Sequence, residues 1–473
     1  MFGYILKRCI PYDDKNHQWP QIFVIIIATL GSFINGSIVN WTSPAIPILI
    51  SNASHVEPIT LEEASYFTVI PTATAAIASP ILAILADGIG RQKTVMLISV
   101  SYFLSWVLIG AAETLYVFYL ARLVQGVGDA ACFTALPMYV CEISEPKIRG
   151  SWGNLIALSM FLGYFLLNIV GAYCDIRTMA YIFGSIILIQ FFLMLVIPES
   201  PYFLIMKGRE EEARSALSFL RWREDVEDEF IVLNKEVQRE ALESGSIKDL
   251  FTDKINLKTL IISLGLRATQ PFSGLPAFTM YTQYMFMQAG SDISSSVSAI
   301  IFSGVFCLCI ACFSSVVDKF GRKPLMIFSC FGCCIVLALE AIFFYINEET
   351  NLDVSHIRWF PLAGMLSYIP LCSAGLAIIP TLMLGELFPT SVKGIALCIL
   401  NICFSIFMLL VTKLFQLLSS NFGMYVPFCL FSLCCFVSFI FSCYWLPETK
   451  GKTLEEIQRY LRGENVKKIT DKI

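Results

Sequence analysis

Histidine is nearly absent from this chain. Three occur in 473 residues, His17, His55 and His356, and none lies in an apolar run. That removes the side chain on which most metal, haem and general-base chemistry relies. Charge is scarce too: 15% of residues are Asp, Glu, Lys or Arg, against about 25% in a soluble domain. No phosphate-cradling loop is present, because Gly451-Lys452-Thr453 lacks the upstream glycine of a P-loop. Neither cofactor, metal, nucleotide nor nucleic acid is therefore expected. Cysteine is not scarce, at 17, but nearly every one sits inside an apolar segment, and only Cys174 lies near an external loop. The run Cys330 to Cys334 has no matching pair and no flanking histidine, so it reads as buried thiols rather than a metal site.

What is abundant is hydrophobic sequence, 56% of the chain. Apolar segments long enough to cross a hydrocarbon core of about 30 Å fall near 21–43, 64–86, 94–112, 115–140, 151–173, 178–197, 257–289, 294–317, 325–346, 359–384, 395–418 and 425–446. The expected fold class is an all-α membrane protein with twelve transmembrane helices in two six-helix pseudo-repeats. The expected division is a tail 1–20, a first half 21–197, a helical linker 198–256, a second half 257–446 and a tail 447–473. No small-residue cleavage site follows an apolar core near the start, so the first span reads as an uncleaved insertion signal.

Lys and Arg set the orientation. The loops carrying Arg91 and Lys93, Lys147 and Arg149, Lys319 to Lys323, and Lys393 are basic, whereas 44–63, 113–114, 290–293 and 419–424 contain no Lys or Arg, with Arg177 and Arg358 as exceptions at loop edges. The positive-inside rule then puts the basic loops, the linker and both termini in the cytosol, in a multi-pass protein of the plasma membrane. Asn52-Ala53-Ser54 is a glycosylation acceptor in the first outside loop. Thr60 to Glu63 is a capping box that opens the second span. In the linker, Ala213, Ala216, Leu217 and Leu220 share one helix face, and Val226, Phe230, Leu233 and Val237 another.

Three signatures occur twice in the same order, which is the mark of two homologous halves. Asp87, Gly90 and Arg91 return as Asp318, Gly321 and Arg322. Glu142, followed seven residues later by Arg149 and Gly150, returns as Glu386, followed seven later by Lys393 and Gly394. Pro198-Glu199 returns as Pro447-Glu448. Acid–base contacts within and between halves that close the inner side and break when the halves rock make these residues gating candidates: Asp87, Arg91, Glu142, Arg149, Glu199, Asp318, Arg322, Glu386, Lys393 and Glu448. The plainer alternative is that they cap helix ends and set topology.

These motifs, with Arg122 to Gly128, Ser273-Gly274 and Tyr281, cover nearly the whole chain. Together they resemble the sugar porter family of the major facilitator superfamily. The first helix, Gly31 to Gly36 and Trp41 to Pro47, is most similar to insect facilitated trehalose transporters. The resemblance implies a transporter, not an enzyme, moving a small solute such as a sugar or polyol across the lipid bilayer. It also implies where a sugar would bind, and there the chain departs from the pattern. The usual Gln-Gln of the seventh helix becomes Gln270-Pro271, and the Asn beyond it becomes Pro276. Ala157, Phe306 and Thr381 stand where the family carries Gln, Asn and Trp, and Phe404-Ser405 replaces an Asn-Trp pair. Glucose is therefore expected to be a poor substrate.

Pro271 and Pro276 are expected to leave the carbonyls of Arg267 and Phe272 without helical donors. Arg267, about 13 Å along its helix from Lys258, lies one turn from Gln270, and Asp129 lies in mid-helix four. A charge at such depth costs about 2.5–3.5 kcal/mol on insertion scales, so each calls for a role. Asp129 could contact Arg122 within the bundle, or meet Arg267. The candidate solute-binding set is Gln270, Ser273, Tyr281, Arg267, Thr381 and Asn401. Proton-coupled sugar porters carry an acid in the first helix, and none occurs between Gln21 and Pro44, which argues for a uniporter. The alternative from another class is a non-transporting sensor or partner protein on the same scaffold.

Overall fold

A computed structural model describes residues 17–457 apart from 52–55, 146–147, 149–151, 243–246, 291–292, 351, 353, 451 and 453–455. The expected sites at Asn52 and Arg149 lie outside the described residues, as does the side chain of Asp318. The chain divides into two compact units, one holding residues up to Ile59 and Tyr66–Leu242, the other Thr60–Ser65 and the residues from Glu243 on.

The first unit is built from α1 (Trp19–Val39), α2 (Thr42–Ile50), α3 (Leu61–Ile89, less its first turn), α4 (Arg91–Gly110), α5 (Leu115–Ile143), α6 (Leu155–Tyr173) and α7 (Ile176–Met194). α1 is buried on almost every side from Gly31 to Ile38, as expected of a helix inside a bundle. The opposite holds for α3, where Ile77, Ile81 and Ile84 are exposed on one stripe, the surface a hydrocarbon phase would cover. Thr60 opens α3 with both bonds of the capping box: its N–H donates to Glu63 Oε2 (2.8 Å), and the Glu63 N–H donates to Thr60 Oγ1 (3.2 Å).

α1 and α6 cross at two glycines. A Cβ on Gly36 would lie 1.8 Å from the Met160 carbonyl oxygen, and one on Gly163 would lie 1.8 Å from that of Phe33. Backbone meets backbone there, so no side chain can yield.

Three helices of the linker follow: α8 (Pro201–Met206), α9 (Glu210–Arg221) and α10 (Glu227–Leu242). Their apolar faces meet in one cluster that includes Leu204, Ala213, Leu217, Phe230 and Val237. Arg221 ties this cluster to the end of α5, pairing with Glu145 (3.1 Å) and Glu229 (2.6 Å) and donating to the Ile143 carbonyl.

The second unit runs through α11 (Ile247–Thr252), α12 (Lys254–Phe272), α13 (Leu275–Met280), α14 (Thr282–Ala289), α15 (Ser295–Phe320), α16 (Arg322–Glu349), α17 (Phe360–Ala374), α18 (Ile379–Leu387), α19 (Thr390–Phe422) and α20 (Tyr425–Tyr444). Its packing repeats that of the first. α4 lies on α5 and α7, and α16 on α17 and α20; α1 lies on α6, and α12 on α19.

Among the described residues ten helical spans are long and apolar enough to cross a membrane. The other two of the twelve crossings are α5 and the α12–α14 run, each for a physical reason. α5 carries Arg122, Gln125 and Asp129 in its apolar length. The α12–α14 run is broken at Ser273 and Gly274, the latter at φ +87°. That break corrects one expectation. Pro276 does not interrupt a helix but lies in the first turn of α13, where no backbone donor is required. Only Pro271 is interior to its helix.

Candidate solute site and helix-end clamps

The repeated signatures form the same device in each unit. Gly90 and Gly321 both take positive φ, +116° and +94°, which a side chain would resist. Each glycine leaves room for a carboxylate: a Cβ would meet Glu199 Oε2 at 2.0 Å in one unit and Glu448 Oε2 at 2.9 Å in the other. Those carboxylates accept from the first N–H groups of the next helix. Glu199 takes Gln92 N (2.9 Å), and Glu448 takes Arg322 N (3.1 Å) and Lys323 N (3.0 Å). A negative group at a helix N-terminus satisfies orphan donors and opposes the helix dipole. Burial pushes the Glu448 carboxyl up, but the N–H groups of Lys450, Arg322, Lys323 and Thr449 together hold it below the ordinary carboxylate range.

Arg91 and Arg322 complete the device. Arg91 pairs with Asp87 (2.9 Å) and Glu142 (3.0 Å), and Arg322 with Glu386 (2.9 Å). Hydroxyls from the third signature close both ends, Ser200 onto Glu142 and Thr449 onto Glu386. Thus Glu142 and Glu386 are engaged by the arginine and the hydroxyl of their own units. Lys393 is engaged as well.

The candidate solute residues converge in the second unit. Arg267 on α12 donates through Nη1 to Thr381 Oγ1 on α18 (2.8 Å) and to Gln270 Oε1 (3.2 Å), and through Nη2 to Asn401 Oδ1 on α19 (3.5 Å). Its guanidinium lies 3.7 Å over the ring of Phe404. Gln270 in turn donates to the Ala377 carbonyl (3.0 Å). Four of the six residues named from the sequence therefore meet at one point. Ser273 lies beside them, its hydroxyl on the Gln270 carbonyl (2.7 Å) and itself reached by Tyr368 OH (3.3 Å). Tyr281 is buried one short helix further on, against Phe415, and does not join the cluster. Thr381 and Phe404, two of the positions where the resemblance implies other side chains, both contact the Arg267 guanidinium.

Asp129 and Arg267 fall in different units, and each is engaged by residues of its own. Asp129 Oδ1 accepts from Asn35 Nδ2 (2.8 Å) and Tyr102 OH (2.8 Å), and Oδ2 from Gln125 Nε2 (3.1 Å). Gln125 also takes Arg122, so the contact expected between Arg122 and Asp129 runs through an amide. Arg122 donates to the Ile38 carbonyl (2.7 Å) and stacks on Trp41 (4.7 Å). Asn35 and Tyr102 were missed from the sequence, although a polar Asn in so apolar a first span is a signal.

Glu340 was missed as well. It is 0% exposed, lies in α16 against Gly364 of α17, and neither carboxylate oxygen has a hydrogen-bond partner among the described residues. A lone acid inside the apolar run from Cys333 to Phe344 was the legible sign.

Each of the two helical units thus carries a clamp at its helix ends and a polar cluster inside. The fold is that of the major facilitator superfamily proton:xylose symporter XylE in complex with 6-bromo-6-deoxy-D-glucose, at a TM-score of 0.74 and 20% identity over 94% of this chain and 100% of that one. The chain belongs to the sugar transporter family, whose model, described as "Sugar (and other) transporter", matches residues 24–461. Similar relatives include facilitated trehalose transporters Tret1. That of Drosophila willistoni is 32% identical over 96% of this chain and 52% of its own length; that of Polypedilum vanderplanki is 33% identical over 96% and 90%. The chain spans about half the length of several of these curated relatives. It is a multi-pass membrane protein of a transporter family, not of an enzyme family.

Proposed function

We propose that this protein is a facilitative transporter of a sugar or related small solute, working as a uniporter by alternating access in the plasma membrane, with both termini cytosolic. The observation that carries the reading is the convergence of Gln270, Thr381 and Asn401, from three helices, on the buried Arg267, in a chain of the sugar transporter family. Relatives named for trehalose and a structural neighbour named for xylose put sugars first among the candidates. Chemistry in the first unit supports the uniport reading. α1 contains no acid, and the one acid nearby, Asp129, is held by three donors.

Glucose is a poor substrate in this reading, because Thr381, Pro276, Ala157 and Phe306 present no amide or indole. The clamps around Arg91 and Arg322 serve as the rigid ends that move with each half, and Lys393 and Arg149 take part in gating. The test is counterflow in proteoliposomes with trehalose, glucose and a polyol, with and without an imposed proton gradient. Saturable exchange that ignores the proton gradient is expected. A folded protein that exchanges none of the three would overturn the reading for neutral sugars, and acceleration by protons would overturn uniport.

A further inference from the structure

Among the described residues, the cation at the centre of the site has no counter-ion. Arg267 is 7% exposed, and its recorded acceptors are a side-chain amide of Gln270, a hydroxyl of Thr381 and an amide of Asn401, all neutral. Among the described residues no carboxylate pairs with it. Asp129, the buried acid of the other unit, already receives three donors. A buried guanidinium without an anion is an expensive feature to keep inside a membrane bundle, and such residues mark the path of a solute.

The unmatched donors also have a shape. A guanidinium offers five N–H groups, and its Nε–H and outer Nη2–H point side by side along one edge, the edge that grips two coplanar oxygens. In Arg267 the two strong partners sit on Nη1, at the other end of the group. Nε is buried without a hydrogen-bond partner, and Nη2 makes a single long contact of 3.5 Å. Stacking on Phe404 fixes the plane of the group, so this edge keeps its direction. The bidentate edge is thus held in place with Nε unpaired and Nη2 weakly engaged.

We infer that the solute of this transporter is an anion with paired oxygens, a sugar acid or sugar phosphate, whose carboxylate or phosphate seats on the Nε/Nη2 edge of Arg267 while its hydroxyls meet Gln270, Thr381 and Asn401. The inference rests on the transport reading above for its direction across the membrane, but not for binding. It also accounts for the lost amides and indoles: a site that holds its ligand by charge needs fewer neutral donors.

The full-length protein purified in detergent supplies the test. Binding of D-glucuronate, glucose 6-phosphate, glucose and trehalose is measured by calorimetry, and counterflow of the same four in proteoliposomes. Glucuronate or glucose 6-phosphate is expected to bind at least tenfold tighter than glucose, and which of the two does so separates carboxylate from phosphate. Arg267→Gln should weaken that binding by about 10–100-fold, the loss of two charge-assisted bonds. Arg267→Lys, which keeps the charge without the bidentate edge, should fall between the two. If Arg267→Gln fails to fold, the wild-type order of affinities and Arg267→Lys still decide the matter. Neutral sugars binding as tightly as both anions in the wild type would overturn the inference and leave sugar transport intact. Anion binding without counterflow would uphold the site and overturn the transport reading. Absence of binding by every probe would overturn both.

Discussion

The two units carry the same device at one end and opposite devices in the middle. At the helix ends, a glycine at positive φ, a capping glutamate and an arginine–glutamate pair appear twice with nearly the same distances. In the interior, the first unit centres on an acid, Asp129, that receives three donors, whereas the second centres on a base, Arg267, surrounded by neutral acceptors; buried unmatched nitrogens occur in both, on Arg122 and on Arg267. The physical demand differs between the two places. A helix terminus always presents the same orphan N–H groups, so one solution serves both units. An interior polar cluster answers to whatever it must hold.

The comparison can be broken most forcefully where the units differ in backbone contact. Gly163→Ala drives a methyl into the Phe33 carbonyl, while Gly265→Ala meets only the edge of the Phe441 ring, 2.8 Å away. The first should cost about 3 kcal/mol or prevent folding, and the second about 1 kcal/mol. Thermal melts in detergent check the ratio, and equal losses would remove the distinction.

The interior clusters come next. Asp129→Ala leaves Asn35, Tyr102 and Gln125 with unmatched buried groups and should destabilise by about 3 kcal/mol. Arg267→Met removes a charge whose partners are all neutral and keeps a chain to pack on Phe404, so its effect should stay within about 1 kcal/mol of zero. If the arginine variant is the more damaged, the second cluster is structural and the contrast fails.

The clamps should behave alike, with a difference of degree. Arg91 is 3% exposed and Arg322 12%. Glu142→Gln should therefore cost about 2 kcal/mol and Glu386→Gln about 1 kcal/mol, since a more buried cation suffers more from losing its acid. Cysteine labelling at the clamp end, compared between these variants and the wild type, reads whether either change also opens that side.

The smallest effect concerns pH. Glu448 has a folded-state pKa below its ordinary value. Its contribution is therefore present in full above the unfolded pKa of about 4.3 and is lost as pH falls through the lower folded value. The melting temperatures of wild type and Glu448→Gln should differ by a constant amount above about pH 5 and converge in stronger acid. The half-buried carboxylate limits that difference to under about 1 kcal/mol. A gap that widens in acid would mean that the cap is not what holds the carboxylate.

The amino-acid sequence by itself determined the class, the count of crossings and the two-half design. Hydropathy over about twenty residues and motifs repeated in order are local, one-dimensional signals. Asp129, Arg267, Gln270, Thr381 and Asn401 were legible as candidates because polar groups stand out against an apolar run. Which of them meet was decided only by the tertiary structure, since it depends on helix rotation and on the break at Ser273–Gly274, neither of which leaves a periodic trace. The same is true of Glu199 and Glu448. The sequence presents each as one acid before a tail or linker, and only folding brings it back over a glycine onto the first turn of a helix more than a hundred residues earlier. Asn35 and Tyr102 escaped for the related reason that a hydrogen bond across helices depends on the distance between side chains, not on their spacing along the chain.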